Sequence, residues 1–415
     1  MLRTGVEERL REANQTAGRL LPAYHSYCFG NVPATIRSVL DAGGRRALPD
    51  DVFEGVDTDV SNVVVVLVDG YGLQTWKRDR DSHSFLDRLS ERGTVTPLTS
   101  VYPSETAAAM TTFETGQLPC EHGRIGWNVY EPSTDRSFLA LGGDIKHDAS
   151  GARGDDGAIV PETDDGIDYH YADIAARGVD CHRLQPFEEQ TEGVTQHTYD
   201  GLDDFRRRLS TVVTESDDPT YVYGYVPDVD HVSHEVGTDS DEFQATLATV
   251  CAEIEAFVDG LDETTAEETL LVVTADHGHV DTVPESNVDL SNNETLLANL
   301  RRYGDGTPIR LAGSPRNAHL HLQDGAVDET RAALADLDAW TFTRAEALER
   351  ELFGDRPASD RFQRRCGDLV VTHRDLGTWW GDIEAAELEL VGMHGGLHPH
   401  EMLVPFAAVR ADRLQ

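Results

Sequence analysis

The stretch Val63-Val-Val-Val-Leu-Val-Asp69-Gly70 constrains the chain more than any other. An unbroken apolar run stops on a carboxylate and a glycine. A strand with one wet face alternates apolar and polar side chains. This one does not, which predicts a strand buried on both faces of a parallel sheet. Open α/β sheets place ligands at the C-terminal tips of such strands. The layout returns at Leu270-Leu-Val-Val-Thr-Ala-Asp276-His277-Gly278. It returns more loosely at Tyr221-Val-Tyr-Gly-Tyr-Val, ahead of Asp230 and His234. Three strand tips that each deliver carboxylate or imidazole predict a metal site.

Between these strands the apolar spacing turns helical. Residues 73–92 and 203–214 predict helices. So does the segment capped by Asp239 and Glu242, with Phe243, Leu247, Val250, Ile254, Phe257 and Leu261 on one face. Strand–helix alternation predicts an α/β fold whose central sheet is mostly parallel, with helices on both sides. Residues 5–21 predict an amphipathic helix ended by Pro22, and 148–168 a Gly/Asp-rich loop. From 283 to 388 the character changes. Ala318-His-Leu-His-Leu-Gln predicts a strand of alternating faces, 329–337 and 344–352 predict helices, and 369–372 another strand. The expected organisation is a main α/β catalytic domain over 1–282, a smaller α+β insertion, or cap, over 283–388, and a return to the main domain over 389–415. That return carries His394, flanked by glycines, and a last strand.

One more segment bears chemistry. In Val101-Tyr-Pro-Ser-Glu-Thr106-Ala-Ala-Ala-Met110, Pro103 and Ser104 predict a helix start after a strand at 95–100. Backbone N–H groups and the helix dipole there favour an anion. Alone, the motif also reads as an ordinary helix cap.

Charge limits the partners. The formal net charge is −40, from 75 acidic and 35 basic residues, and Lys77 and Lys146 are the only lysines. The acids are scattered, so they predict a solvated surface that repels itself unless salt screens it. At ~1 M salt the screening length falls to about 3 Å, and a salt-loving source is expected. Nucleic acid and anionic membranes need basic patches and are not expected partners. Cys28, Cys120, Cys181, Cys251 and Cys366 form no Cys-x-x-Cys pair, which argues against a zinc ribbon or a dithiol redox site. Sparse cysteine suits a reducing cytoplasm. The first residues lack the apolar core of a signal peptide, and no run approaches the ~20 residues that cross a bilayer. A cytoplasmic protein is expected.

Taken together, Asp69, Thr106, Asp230, His234, Asp276, His277 and His394 supply oxygen and imidazole donors and no thiolate. Such donors suit Zn²⁺, with Mn²⁺ or Fe²⁺ as alternatives. They suffice for two divalent ions, and two ions ~4 Å apart can clamp both oxygens of an in-line phosphoryl displacement. An activated Thr106 hydroxyl would attack phosphorus and give a covalent intermediate.

These pieces, in this order, resemble the alkaline phosphatase superfamily, and within it the type I phosphodiesterase/nucleotide pyrophosphatase branch. Asp69-Gly70 resembles the first metal aspartate. Pro103-Ser-Glu-Thr106 with Gly116-Gln-Leu-Pro-Cys-Glu-His122-Gly resembles the nucleophile helix and its tail. Asp230-His-Val-Ser-His234-Glu-Val-Gly237 resembles the Asp-x-x-Gly-His-x-x-Gly element, with Ser233 in the glycine's place. Thr274-Ala-Asp276-His277-Gly278 and His394-Gly-Gly resemble the remaining two elements. The resemblance implies a three-layer α/β sandwich, with Asp230, His234 and His394 on one metal and Asp69, Thr106, Asp276 and His277 on the other. It implies a small phosphorylated substrate and a phospho-threonine intermediate. One position departs: the family's phosphate-holding Asn, three residues after the nucleophile, is Ala109 here.

Ser104 is the alternative nucleophile. His279, His398 and His400 are expected to be bystanders and His122 a structural histidine, while Arg124 and Lys146 are candidate anion binders. The competing functions are a phosphomonoesterase, phosphonate hydrolase or phosphomutase of the same superfamily, and an inactive member that only binds metal or ligand. A sulfatase would carry Cys-x-Pro-x-Arg, whereas the chain has Cys120-Glu-His-Gly-Arg124. A zincin peptidase would carry His-Glu-x-x-His, which is absent.

Overall fold

A computed structural model describes residues 1–42, 47–148, 167–216 and 219–415. The loop expected over 148–168 lies almost wholly outside the described residues. Strand Asn62–Val68 (β1) holds the middle of a seven-stranded sheet with every residue buried. In chain order the others are Thr94–Thr99 (β2), Asp180–Gln185 (β3), Thr195–Thr198 (β4), Thr220–Val226 (β5), Thr269–Thr274 (β6) and Leu403–Arg410 (β7). Their order across the sheet is β2-β7-β6-β1-β5-β3-β4. β1 is flanked in parallel by β5 and β6. β7 runs antiparallel to both of its neighbours, β6 and β2. Six strands therefore share one direction. The exception is functional in its effect: an antiparallel last strand begins at the edge where the others end, so the segment before Leu403 arrives beside their tips. Helices cover both faces of the sheet, as the alternation predicted.

A second, antiparallel sheet lies alongside. Its order is Ala339–Thr343, Leu369–His373, Asn317–Leu320, Gly313–Ser314, Asn128–Glu131, Arg136–Leu139 and Ile145–Asp148. It draws strands from 128–148 as well as from 313–373. Glu131 and Arg365, both buried, bridge its two contributions at 2.9 Å.

Several local expectations are corrected. The first helix spans Thr4–Asn14 and stops short of 21, because Ala17 and Gly18 take positive φ and fold the chain into a two-stranded pair. The 73–92 segment is two helices, Leu73–Asp79 and Ser84–Arg92, broken where His83 turns extended. The long helix Asp241–Asp259 is capped by Ser240, whose Oγ accepts Phe243 N–H, and not by Asp239. The Asn317–Leu320 strand is buried on both faces and does not alternate, since it lies inside the second sheet. His319 and His321 are buried with it, and burial pushes both imidazoles down to about 3. Among the described residues, no helix is long and apolar enough to cross a membrane.

Candidate functional site

Every predicted site residue reaches the carboxyl edge of the central sheet. Asp69 follows β1, and Asp276 and His277 follow β6. Thr106 opens the helix Thr106–Thr115 (α1), which a left-handed Gly116 terminates. Asp230 and His234 sit on the helix Asp228–Val236 (α2) beyond β5. Their four-residue spacing puts both on one helix face.

Two groups of donors form. In the first, His277 Nε2 lies 3.1 Å from Thr106 Oγ1, 3.3 Å from Asp69 Oδ1 and 3.5 Å from Asp276 Oδ2. In the second, Asp230 Oδ2 lies 3.3 Å from His234 Nε2, while Asp230 Oδ1 lies 3.5 Å from His394 Nε2. His394 Nε2 is 3.2 Å from His234 Nε2. The groups adjoin: the His277 and His394 rings stack with centroids 3.7 Å apart.

The electrostatics ask for cations. Burial, then Asp276 and Asp230, hold the Asp69 carboxyl well above the ordinary range. Burial also opposes ionisation of Asp230, but His234, His279 and His394 outweigh it and hold that carboxyl well down. Asp230 in turn overcomes burial and raises His234 to about 9. Asp69 Oδ1, Asp276 Oδ2, Asp230 Oδ1 and His394 Nδ1 are buried and find no hydrogen-bond partner among the described residues. Buried carboxylates left this way are expensive unless a positive charge meets them. The donor set therefore fits divalent ions.

Ser104 is not placed as a nucleophile: its Oγ donates to Gly396 O at 2.8 Å. This ties the Thr106 loop to the His394 loop. His122 is structural, with Thr112 Oγ1 at 3.1 Å from Nε2 and Arg124 N–H on Nδ1. Arg124 donates to Thr111 Oγ1, and Lys146 pairs with Glu384 at 2.7 Å. Ala109 is fully buried in the hydrophobic core.

Three features escaped the sequence. His279 is no bystander: its Nε2 lies 3.0 Å from Asp230 Oδ1. The Tyr225 hydroxyl donates to Asp69 Oδ2. A carboxylate hub, Glu401, accepts N–H from Gly396 and His398 and pairs with Arg316 at 2.6 Å, both side chains fully buried. A histidine two residues past the Asp276-His277 pair was the available signal for the first. For the second it was a tyrosine one residue short of a ligand-bearing tip. Nothing local marks the third.

The fold is that of the alkaline phosphatase superfamily. A family model described as type I phosphodiesterase/nucleotide pyrophosphatase matches residues 63–397, and the chain belongs to that family. It is 23% identical over 289 residues to an uncharacterised pyrophosphatase/phosphodiesterase of Schizosaccharomyces pombe, covering 69% of this chain and 58% of the relative. It is 22% identical to ectonucleotide pyrophosphatase/phosphodiesterase 1 of Saccharomyces cerevisiae, covering 57% of this chain and 36% of the relative. The matches thus span little more than half and about a third of those two proteins. Murine ectonucleotide pyrophosphatase/phosphodiesterase 5 superposes with a TM-score of 0.62 at 17% identity, over 84% of this chain and 87% of that one. Phosphonoacetate hydrolase of Sinorhizobium meliloti superposes with a TM-score of 0.59 at 18% identity, over 85% and 93%.

Proposed function

We propose that the protein is a metal-dependent phosphodiesterase or nucleotide pyrophosphatase acting on a small phosphorylated substrate, with Thr106 as nucleophile. The carrying observation is the Thr106 hydroxyl, at a helix N-terminus, converging with His277, Asp69 and Asp276 beside a second donor group. Asp69, Thr106, Asp276 and His277 would hold one divalent ion, and Asp230, His234 and His394 the other, most simply zinc. Bound there, the ions would supply Lewis-acid stabilisation of phosphoryl charge. Thr106 Oγ1 attacks phosphorus as its proton passes to Asp69 Oδ2, to which it donates at 3.4 Å, and the leaving oxygen departs with the electron pair of the broken P–O bond. Water then cleaves the phospho-threonine and restores the hydroxyl. An inactive threonine-to-alanine form of the murine relative was solved with AMP, which supports both the nucleophile and the substrate class.

The surroundings favour a diester over a monoester. A monoester carries an extra negative charge and wants an added cation. Near His234 stands Glu387, whose carboxyl is pushed up by burial and by Glu384, and Glu105 beside Thr106 is raised by burial to about 8. Lys146 is already held by Glu384. The deciding experiment compares bis-p-nitrophenyl phosphate with p-nitrophenyl phosphate, in molar salt with Zn²⁺ or Mn²⁺. Faster diester cleavage is expected. A monoester preference would turn the reading to a phosphatase or mutase, and selective cleavage of phosphonoacetate to a phosphonate hydrolase.

Five free, buried cysteines suit a reducing compartment such as the cytoplasm. The charge of −40 supports the reading of a salt-adapted protein. The thermal unfolding midpoint, followed by circular dichroism, is expected to rise by about 10 °C or more between ~0.1 M and ~2 M KCl as screening tightens. Equal midpoints would remove the salt argument.

A further inference from the structure

We infer that His279 is a fourth protein ligand of the ion position formed by Asp230, His234 and His394, which makes the two ion positions chemically unequal. This rests on the metal-dependent reading above, and it adds a residue to the three that the family resemblance brings to that ion.

Ligand atoms of Asp230, His234, His279 and His394 all lie within 4.8 Å of one another. The His279 ring is buried and its tautomer is set. Nδ1 lies 3.1 Å from Gly70 O and donates to it, so Nε2 is the nitrogen turned toward the cluster, where the neutral ring presents a lone pair. Nε2 faces Asp230 Oδ1 at 3.0 Å, and neither atom has a hydrogen-bond partner among the described residues. A metal ion met by both atoms satisfies them together. An imidazole whose far N–H is fixed on a backbone carbonyl is also how proteins orient metal-binding histidines.

The backbone is shaped for this ring. Gly70 has φ of +69°, and a Cβ there would stand 2.3 Å from His279 Cε1. At Gly392 a Cβ would stand 3.2 Å from His279 Cδ2. The glycine after Asp69, legible in the sequence only as a turn, is thus the space His279 occupies.

With His279 counted, one position offers three imidazole nitrogens and one carboxylate. The other offers two carboxylates, a hydroxyl and one imidazole. Imidazole-rich sets suit Zn²⁺, whereas oxygen-rich sets accept Mn²⁺ or Mg²⁺ readily. The first equivalent of zinc should therefore enter the His279 position.

X-ray absorption of the metal-stripped chain given one equivalent of Zn²⁺ counts the imidazoles directly, without any variant. Three imidazoles are expected. Two, or one, would overturn the inference. His279→Gln is the complementary test, because glutamine places a neutral polar side chain there but is a poor ligand. It is expected to weaken the first zinc by ~10–100-fold and to change the d–d absorption of the Co²⁺-loaded chain. A zinc affinity and a Co²⁺ spectrum equal to those of the wild type would reduce His279 to a hydrogen-bonding group. Diester cleavage assayed on the same preparation after a second equivalent is added separates the two claims. Cleavage with two imidazoles sinks only the His279 ligand. Three imidazoles without cleavage sinks only the phosphodiesterase reading.

Discussion

Thr106→Ala is expected to lower kcat for diester cleavage by at least ~1,000-fold, about 4 kcal/mol of lost transition-state stabilisation. In the proposed mechanism the hydroxyl forms the bond to phosphorus that water must later break. Its contacts are confined to the site, at 3.1 Å to His277 Nε2 and 3.4 Å to Asp69 Oδ2. No side chain caps this end of the helix, so the change removes no cap. Stability should stay within about 1 kcal/mol of wild type. Both ions should remain bound, since Asp69, Asp276 and His277 still serve the nearer one. Thr106→Ser keeps the oxygen and should retain activity to within ~10-fold. Acid quenching during turnover should trap phosphate on Thr106 in wild type and none in the alanine variant. An alanine variant that still turns over at the wild-type rate, with phosphate on no residue, would mean direct attack by water and remove the covalent step.

The parts of the molecule that were legible in the sequence share a local signature. The valine run showed its own two-sided burial. Asp69, Asp276 and His277 were visible as abrupt stops on such runs, Asp230 and His234 as donors following a looser run, and His394 through its paired glycines; that Asp230 and His234 share a helix was not. What stayed hidden depends on partners distant in the chain. His279 matters because Gly70 leaves room for its ring and accepts its proton, two facts set by a crossing of loops. Tyr225 lies on a strand buried on both faces, where the pattern does not say which side meets Asp69. The second sheet joins 128–131 to 313–314 through a pairing that no periodicity announces. Strand pairing of this kind is decided by tertiary packing more than by propensity.

The Arg316–Glu401 pair, 85 residues apart in sequence, ties the second sheet to the segment that follows His394. Arg316→Met is expected to destabilise the protein by about 3–5 kcal/mol, because Glu401 would remain buried with no counter-charge. Burial opposes ionisation of Glu401, but Arg316 and the His398 N–H outweigh it and keep the carboxyl below its ordinary value. The stabilisation is therefore full above the unfolded carboxylate range, near ~4.3, and is lost as pH falls through the lower folded value. In the variant the buried carboxyl favours its proton, so the deficit relative to wild type should shrink in acid and widen toward neutrality. Denaturant unfolding at several pH values measures this; a deficit independent of pH would show that the charge is not the cause. The functional consequence is separable from stability. Glu401 holds Gly396 N–H at 3.0 Å and His398 N–H at 2.7 Å, fixing the loop that presents His394. Replacing both partners, Arg316→Met with Glu401→Leu, removes the stranded charge and should recover most of the lost stability. It leaves those two N–H groups without an acceptor and His394 without its anchor. The double variant should therefore be stable yet still bind the ion at Asp230, His234 and His394 more weakly, while the Asp69, Asp276 and His277 position stays near wild type. Recovery of both stability and ion affinity would mean that packing alone holds the His394 loop, with no contribution from the carboxylate.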